Sequence, residues 1–236
     1  MIDGKKILAV VPARGGSKGV KLKNIRKIGG LPLISIAGKI VKDIGIIDKA
    51  IISTDYPEFA QVAVESGLEV PFMRPDKLSG DRIGDVDVLS HALLEMEKID
   101  DTIYDIVLML QPTSPSRTAK HVVDAIELFI KKNADSVWTV SETDSKGHPF
   151  KQLIIENDTI DFFDQRGKKI IARQELSKTY HKNGIAYVIS RDCLINKKSI
   201  EGDKCIPLII DGHTSNIDTE LDIAFAEFLL TYKSEK

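Results

Sequence analysis

The sequence contains few cysteines and no long hydrophobic run, and both absences exclude classes of protein. Among its 236 residues only Cys193 and Cys205 carry thiols, and their number and spacing fit neither a metal cluster nor a disulfide framework. No apolar run approaches the ~20 residues that cross a bilayer. The first strand-like segment begins too close to Met1 to leave room for a signal peptide. We therefore expect a cytoplasmic protein that has no membrane partner.

Aromatic residues are also few, and the net charge of the chain is small. Aromatic side chains make up 6% of the chain, and the formal net charge is -2. Because domains that bind nucleic acid usually carry a strong positive charge, we expect no nucleic-acid partner. The positive charge that stands out is local and lies between Arg14 and Lys27.

Strand-like and helix-like segments alternate through most of the chain. Apolar runs predict strands at residues 7–11, 50–54, 106–110, 136–140, 185–189 and 206–210. Apolar residues at helical spacing predict helices at residues 33–44, 57–66, 86–99 and 119–132, and a last helix that begins near residue 219. Such alternation is typical of an α/β protein in which a mostly parallel sheet lies between two layers of helices, the three-layer α/β/α architecture.

A polar, turn-rich stretch at residues 142–182 interrupts this alternation. Turn signals at Lys146-Gly147 and Arg166-Gly167 predict a small, hairpin-like inserted arm. The α/β domain would then consist of residues 1–141 and 183–236. We expect its last four residues, 233–236, to be frayed.

A glycine-rich, cationic loop follows the first predicted strand. It reads Arg14-Gly15-Gly16-Ser17-Lys18-Gly19 and continues to Lys23-Asn24. Glycines let a backbone approach a ligand closely, and the N–H groups of such a loop can form a nest for an anion. The spacing matches neither a Walker A loop nor a dinucleotide fingerprint. The loop alone is compatible with a solvated basic segment, but its place after a buried strand favours a nucleoside triphosphate site.

Other polar residues follow later strands. In open α/β sheets ligands bind beyond the carboxyl ends of the strands. Asp55 follows the second predicted strand, Gln111 follows the strand at 106–110, and Asp218 follows the last strand after a short loop. These positions predict that the residues lie along one edge of the sheet.

Through these motifs taken together, the chain resembles the acylneuraminate cytidylyltransferases, also called CMP-sialic acid synthetases. They occur in the family's order over nearly the whole chain. The matching stretches are 12–19, Lys23-Asn24, Ser53-Thr54-Asp55, Arg74-Pro75, 110–115, Arg117-Thr118, Arg173-Gln174, Asn183-Gly184, Tyr187 and Ile217-Asp218-Thr219. The resemblance implies a Rossmann-like nucleotidyltransferase fold. It also implies transfer of CMP from CTP to the anomeric hydroxyl of a nine-carbon α-keto acid sugar, with Mg²⁺ as cofactor and release of pyrophosphate.

The resemblance also implies roles for particular residues. Arg14, Lys23 and Asp218 would be catalytic. The nucleotide would be bound by Ala13, Arg14, Gly15, Gly16, Ser17, Lys23, Asn24, Arg74 and Asp81. A loop salt bridge is the alternative role for Arg74, and we expect Lys21 to be a solvated lysine.

For the acidic sugar, the resemblance implies contacts from Gln111 and Asn183. Lys151 and Arg173 would come from the arm of a partner subunit and hold the sugar carboxylate. This arrangement predicts a homodimer whose active sites combine residues of two chains. Without the resemblance, both residues would be ordinary exposed charges on the arm.

The chain departs from the family pattern at two positions. Asn216 stands where the family commonly has an aspartate, beside Asp218 at the expected metal site. Because Mg²⁺ also takes ligands from water and substrate phosphates, Asp218 and Asn216 remain the expected metal ligands, with weaker metal affinity. Many sialic acid enzymes carry an arginine near the position of His181. The histidine here indicates either that the substrate is a sugar other than sialic acid, such as legionaminic acid, or that this segment is an exposed basic loop. The remaining alternatives are a Kdo-type cytidylyltransferase and a catalytically impaired CTP-binding homologue.

Overall fold

The computed structural model describes residues 1–232, so the expected frayed end at 233–236 lies outside the described part. The strands, in chain order, are β1 (Ile7–Pro12), β2 (Lys27–Ile28), β3 (Leu31–Pro32), β4 (Lys49–Ser53), β5 (Ile106–Met109), β6 (Ser136–Glu142), β7 (Leu153–Glu156), β8 (Thr159–Phe162), β9 (Tyr180–Ser190) and β10 (Cys205–Ile209). The α-helices are α1 (Leu33–Lys42), α2 (Pro57–Glu65), α3 (Asp85–Ile99), α4 (Ala119–Lys132), α5 (Arg191–Ile195) and α6 (Glu220–Thr231).

A six-stranded sheet in the order β10-β6-β9-β5-β1-β4 forms the centre of the molecule. β1 pairs in parallel with β4 and β5, and β10 pairs in parallel with β6. Only β9, among the strands of this sheet, runs antiparallel to its neighbours β5 and β6. The predicted mostly parallel sheet is therefore confirmed, and one inverted strand lies near its middle.

Both faces of the sheet are covered by helices, because its strands carry apolar side chains on both sides. In β1, Ile7 and Val11 pack into a cluster with residues of α1, α2 and α4. Leu8 and Val10 pack into a second cluster with residues of α3 and α5. Successive side chains of a strand point to opposite faces, so the continuous apolar run of β1 serves both layers. The three-layer α/β/α architecture is confirmed.

β9 begins earlier than its apolar run suggested. Tyr180 pairs with Glu142, and Lys182 pairs with Val140, after a shift in register next to Trp138. Residues 180–182, which we expected in the arm, therefore extend the central sheet. Backbone pairing with β6 explains the difference, since a strand can continue through polar residues where one neighbour supplies hydrogen bonds.

The segment between β6 and β9 contains the hairpin β7–β8. Its strands are joined at Asn157 and Asp158, whose φ angles are 51° and 60°, as in the primed turns that suit two-residue hairpin loops. Ile155 and Ile160 lie opposite each other in this hairpin and are 76% and 65% exposed. An isolated two-stranded hairpin is marginally stable in water. That this segment is a dimerisation arm stays a prediction.

α6 is fixed at its start by a capping box between Thr219 and Asp222. This cap places Asp218 directly before the N-cap residue Thr219, at the edge of the sheet where β1 also ends. In the part of the chain that the structure describes, no helix is long and apolar enough to cross a membrane.

Candidate active site

A cavity of about 490 Å³ lies beyond the carboxyl ends of β1 and β5. Many residues that the sequence singled out meet on its walls. They are Arg14, Ser17, Lys23, Asn24, Arg74, Gln111, Asn216 and Asp218. They come from four separate segments of the chain, so only the fold brings them together.

The glycine-rich loop lies close to its neighbours, which explains two of its glycines. Gly15 donates its N–H to Asp55 Oδ1 over 2.9 Å, and a Cβ at this position would lie 2.7 Å from the ring of Tyr56. A Cβ on Gly19 would collide with the backbone oxygen of Asp218. Larger residues at these two positions would therefore push the loop away from its neighbours and open the cavity.

The cations of the loop are paired with carboxylates. Lys23 Nζ lies 2.8 Å from Asp218 Oδ1. Arg14 Nη1 lies 2.6 Å from Asp81 Oδ1, and Lys18 Nζ lies 2.5 Å from Asp81 Oδ2. Hydrogen bonds from Lys18 and Arg14 hold the pKa of Asp81 below its ordinary value. Asp81 lies outside the cavity lining, so its contact in this structure is with the two cations rather than with the cavity.

Arg74 forms part of the cavity wall, and its guanidinium is anchored to the strand that precedes it. Its Nε donates to Ser53 Oγ over 3.0 Å, and its Nη2 donates to the carbonyl oxygen of Ser53. The side chain is buried, and burial lowers its pKa although Asp55 opposes this change. Within residues 1–232 Arg74 forms no salt bridge, the alternative role that the sequence left open, and its guanidinium is hydrogen-bonded to Ser53 instead.

Gln111 follows β5 and lies against Gly184 of β9. Gly184 has a φ of +72°, and a Cβ there would lie 2.6 Å from Gln111 Oε1. Arg117 joins the same two segments, because its Nη2 donates to the carbonyl oxygens of Gln111 and Gly184 over 2.6 and 3.0 Å. Arg117 is buried, and this burial lowers its pKa to about 9. A buried cation therefore fixes the wall that carries the Gln111 amide.

Several predicted site residues lie outside the cavity lining. Ala13 is buried in the core. Asn183 is also buried, with Nδ2 donating to Ser141 Oγ over 3.1 Å. Its Oδ1 accepts from the Ile185 N–H over 3.2 Å. Lys151 and Arg173 lie in short 3-10 turns of the arm and do not reach the cavity of their own chain. Their predicted contacts with a ligand stay predictions.

Asp85, the first residue of α3, is a cavity residue that our sequence reasoning missed. Burial raises its pKa, and the charges of Lys182 and Arg74 oppose that rise. α3 follows α2 and a long connecting segment rather than one of the strands, so the rule that ligands bind beyond the carboxyl ends of strands could not reveal Asp85 from its sequence position. Thr113 and Lys18 also line the cavity.

Asn216 and Asp218 both line the cavity and alternate along an extended segment. Within residues 1–232, no group of three or more His, Cys, Asp or Glu side chains is arranged to hold a metal ion. Two oxygen donors facing an open cavity do fit Mg²⁺, since this ion commonly keeps waters and binds substrate phosphates beside one or two carboxylates. The donor set therefore fits a cation that the substrate helps to hold.

A family model described as cytidylyltransferase matches residues 8–205. The chain belongs to the cytidylyltransferase family. The family predicted from the motifs is confirmed, and the matched region of this cytidylyltransferase contains the glycine-rich loop, Gln111 and all of β9.

Relatives align with this cytidylyltransferase over almost its whole length. It is 33% identical to "Post-translational flagellin modification protein B" of Campylobacter coli over 97% of each chain. It is 32% identical to the CMP-N,N'-diacetyllegionaminic acid synthase of Campylobacter jejuni, again over 97% of each chain. Among solved structures, a CMP:2-keto-3-deoxy-manno-octonic acid synthetase complexed with CTP superposes with a TM-score of 0.72. That match has 17% identity and covers 96% of this chain and 99% of the other, so it shows a shared fold.

Proposed function

We propose that this cytidylyltransferase transfers CMP from CTP to the anomeric hydroxyl of a nine-carbon α-keto acid sugar and releases pyrophosphate. The observation that carries the proposal is the meeting of Arg14, Lys23 and Gln111 on one cavity. The cations suit a triphosphate, and the amide suits a sugar, because it both donates and accepts hydrogen bonds. The names of the relatives, which include legionaminic, pseudaminic and N-acylneuraminic acid enzymes, support this substrate class.

The anomeric oxygen forms a bond to the α-phosphorus while the bond to the bridging oxygen of pyrophosphate breaks. Such a transfer needs alignment and neutralisation of charge more than covalent help from the protein. Arg14 and Lys23 face the negative charge of the leaving pyrophosphate. The N–H groups of the loop and the hydroxyl of Ser17 hold phosphate oxygens, and Gln111 orients the sugar.

Mg²⁺ is part of the proposal, with Asp218 and Asn216 as the protein's oxygen ligands. The ion would neutralise charge on the phosphates and draw electron density from the reacting centre. Asp218 is paired with Lys23 in the structure. Binding of Mg²⁺ would therefore replace the Lys23 ammonium group by the metal ion as the positive partner of this carboxylate.

A homodimer is the second part of the proposal. The arm presents Ile155, Ile160, Phe163 and Ile171 to solvent, with exposures between 65% and 93%. Exposed apolar side chains in one segment are typical of an interaction surface. In a dimer whose arm reaches the partner's cavity, Lys151 and Arg173 would supply positive charge for the sugar carboxylate. The free thiols of Cys193 and Cys205 agree with a cytoplasmic location.

The test is pyrophosphate release with CTP and Mg²⁺ across N-acetylneuraminate, legionaminate, pseudaminate and Kdo. We expect release with at least one nine-carbon acid and none without sugar. Release with Kdo alone would replace our proposal with the Kdo-type alternative. CTP binding without release with any of these sugars would favour the impaired homologue.

His181 offers a test of sugar choice within this panel. It is exposed, and its Nδ1 lies 3.1 Å from Thr143 Oγ1. If His181 contributes to recognition, the variant His181→Arg changes the order of preference among the nine-carbon acids. Unchanged preferences would assign His181 to an exposed basic loop.

A further inference from the structure

Helix α6 is apolar on two opposite sides, and only one of them packs onto its own chain. Ile223 and Ala226 face inward and pack in a cluster with Ile28, Leu33 and Ile217. The apolar residues of the opposite side are exposed in the single chain. A helix that is apolar all round is usually buried, which indicates that the second side of α6 is covered in the assembled protein.

This second side carries a stripe, the outer stripe, formed by Leu221, Phe225, Phe228 and the C-cap residue Tyr232. Their exposed fractions are 77%, 39%, 52% and 51%. The rings of Phe228 and Tyr232 lie against each other, with centroids 5.1 Å apart. Successive residues of the stripe are four, three and four positions apart, and such alternation is typical of the seam between two paired helices. The outer stripe therefore suits contact with another helix.

The charges on α6 indicate which helix fits. Its sequence contains three acidic residues and no basic one, and each acid is engaged within its own chain. Glu220 forms a bidentate pair with Arg26 over 2.6 and 2.8 Å. Asp222 accepts hydrogen bonds from Thr219 in the capping box, and Glu227 accepts the backbone N–H of the β2–β3 turn over 2.9 Å. Pairing α6 with the α6 of a second copy therefore brings no unengaged acid of this helix against another, as an interface between identical surfaces needs.

The size of the outer stripe determines how stable one such contact is. Because an aromatic side chain can bury about 150–250 Å², the exposed parts of these four side chains offer roughly 400 Å² per copy. One contact between two copies then buries roughly 800 Å² in total, below the range of about 1,200–2,000 Å² that stable interfaces occupy. Two contacts made at once bury roughly 1,600 Å², which lies within that range.

We propose that α6 pairs with the α6 of a second copy along the outer stripe and joins two arm-linked dimers into a tetramer. The inference goes beyond the catalytic function and rests on the dimer part of the proposed function. An arm-linked dimer carries two α6 helices related by its twofold axis, so two dimers can make two α6 contacts at once. Each contact raises the effective concentration for the other, which compensates for the weakness of a single contact.

The test compares molecular masses by light scattering at one protein concentration, and for the wild type we expect a tetramer. The double variant Leu221→Lys, Phe228→Lys places lysines of both copies in each α6 contact and should halve the mass to that of a dimer. Its melting temperature and turnover should stay those of wild type, because both side chains are exposed. The arm double variant Ile155→Lys, Ile160→Lys should be a monomer, since one α6 contact alone is weak.

The double variant Val64→Lys, Leu94→Lys is the matched control, because it also replaces two exposed apolar side chains, one on α2 and one on α3. It should keep the mass of the tetramer. Should the α6 double variant lose its cooperative unfolding, Leu221→Lys alone replaces it, since Leu221 has the most exposed side chain of the outer stripe. This single variant should also shift the tetramer toward the dimer.

Two results would overturn the inference. One is a wild-type mass no larger than that of a dimer. The other is a tetramer that survives in the folded α6 double variant. Failure of the arm interface is distinguishable, because the arm double variant would then keep the mass of the wild type. Failure of the catalytic proposal gives a different result again, namely no pyrophosphate release with any sugar at any molecular mass.

Discussion

Lys23 Nζ lies 2.8 Å from Asp218 Oδ1, although 195 residues separate the two in the chain. The pair joins the glycine-rich loop to the segment that precedes α6. The Lys23 side chain is 17% exposed and that of Asp218 is 69% exposed. The proposed phosphate-binding cation therefore has a defined position before any nucleotide binds.

Replacing Lys23 tests its role in charge neutralisation. For Lys23→Met we expect kcat/KM for CTP to fall by about 10²-fold or more, the effect of removing one preorganised group that stabilises developing negative charge. Pyrophosphate release at varied CTP concentration measures it. Lys21→Met is the control, since Lys21 is exposed in the same loop. Equal losses in the two variants would mean that overall loop charge, rather than the position of Lys23, determines the rate.

Asn216 provides a test of the metal site. A carboxylate binds Mg²⁺ more tightly than a neutral amide oxygen, so Asn216→Asp should lower the Mg²⁺ concentration that gives half-maximal turnover by about threefold or more. A titration of activity with Mg²⁺ measures this change. Asn133→Asp, at an exposed helix end away from the cavity, should leave the titration unchanged. An identical Mg²⁺ dependence in Asn216→Asp and wild type would exclude position 216 as a ligand.

Gly184→Ala tests the wall beneath Gln111. The added methyl group would meet Ser114 Oγ and Gln111 Oε1 at a residue whose φ is +72°. The left-handed conformation alone costs about 1–2 kcal/mol for a non-glycine residue. We therefore expect a lower melting temperature and a higher sugar KM, with little change in the KM for CTP.

Gly45→Ala is the control for this substitution, because Gly45 lacks a positive φ and has open space around its Cβ position. Its melting temperature should stay close to that of wild type. A sugar KM unchanged in Gly184→Ala would show that the Gln111 amide does not depend on this contact.

Tyr187 predicts a dependence of stability on alkaline pH. Burial raises the pKa of Tyr187 to about 12 from its ordinary value of 10.0. Between these values the folded protein keeps the phenolic proton while the unfolded chain loses it, so this contribution to stability is complete below pH 10 and is lost as pH rises toward 12. At 1.36 kcal/mol per pKa unit, the loss is at most about 2.7 kcal/mol.

Urea unfolding of wild type and Tyr187→Phe at several pH values from 9 to 12 measures this contribution. The free energy of unfolding should fall less steeply in Tyr187→Phe than in wild type. Tyr180→Phe, at an exposed position, should follow the wild type. Parallel curves for Tyr187→Phe and wild type would contradict the prediction.

The hairpin of the arm tests the proposed dimer. Ile155 and Ile160 lie opposite each other and are exposed, so the double variant Ile155→Lys, Ile160→Lys places two charges on the proposed interface. We expect a monomer by light scattering and at least a tenfold loss of sugar-dependent turnover, with CTP binding retained. Val64→Lys, an exposed apolar position on α2, is the control. A dimer that survives the double substitution would place the interface elsewhere.

Much of the fold could be predicted from the sequence, because the apolar pattern follows the periods of helices and strands. The predicted helix at 119–132 coincides with α4, and each of the six predicted strands corresponds to a strand of the central sheet. The polar start and antiparallel direction of β9 could not be predicted in this way. They depend on backbone pairing with β5 and β6, which leaves no local signal in the side chains.

The candidate site was predicted in part. Arg14, Lys23, Gln111 and Asp218 lie on one cavity as expected. Asp81, by contrast, pairs with two cations of the loop, a relationship that its local sequence does not indicate.

The sequence by itself determined the layered α/β architecture, the glycine-rich loop and the family, since these depend on local patterns and residue types. The tertiary structure decided that Asp85 shares a cavity with Gln111 and that Lys23 meets Asp218. The physical reason is that burial, ion pairing and the environment of a carboxylate depend on distances between segments far apart in the chain. Only the packing of helices on the sheet sets those distances.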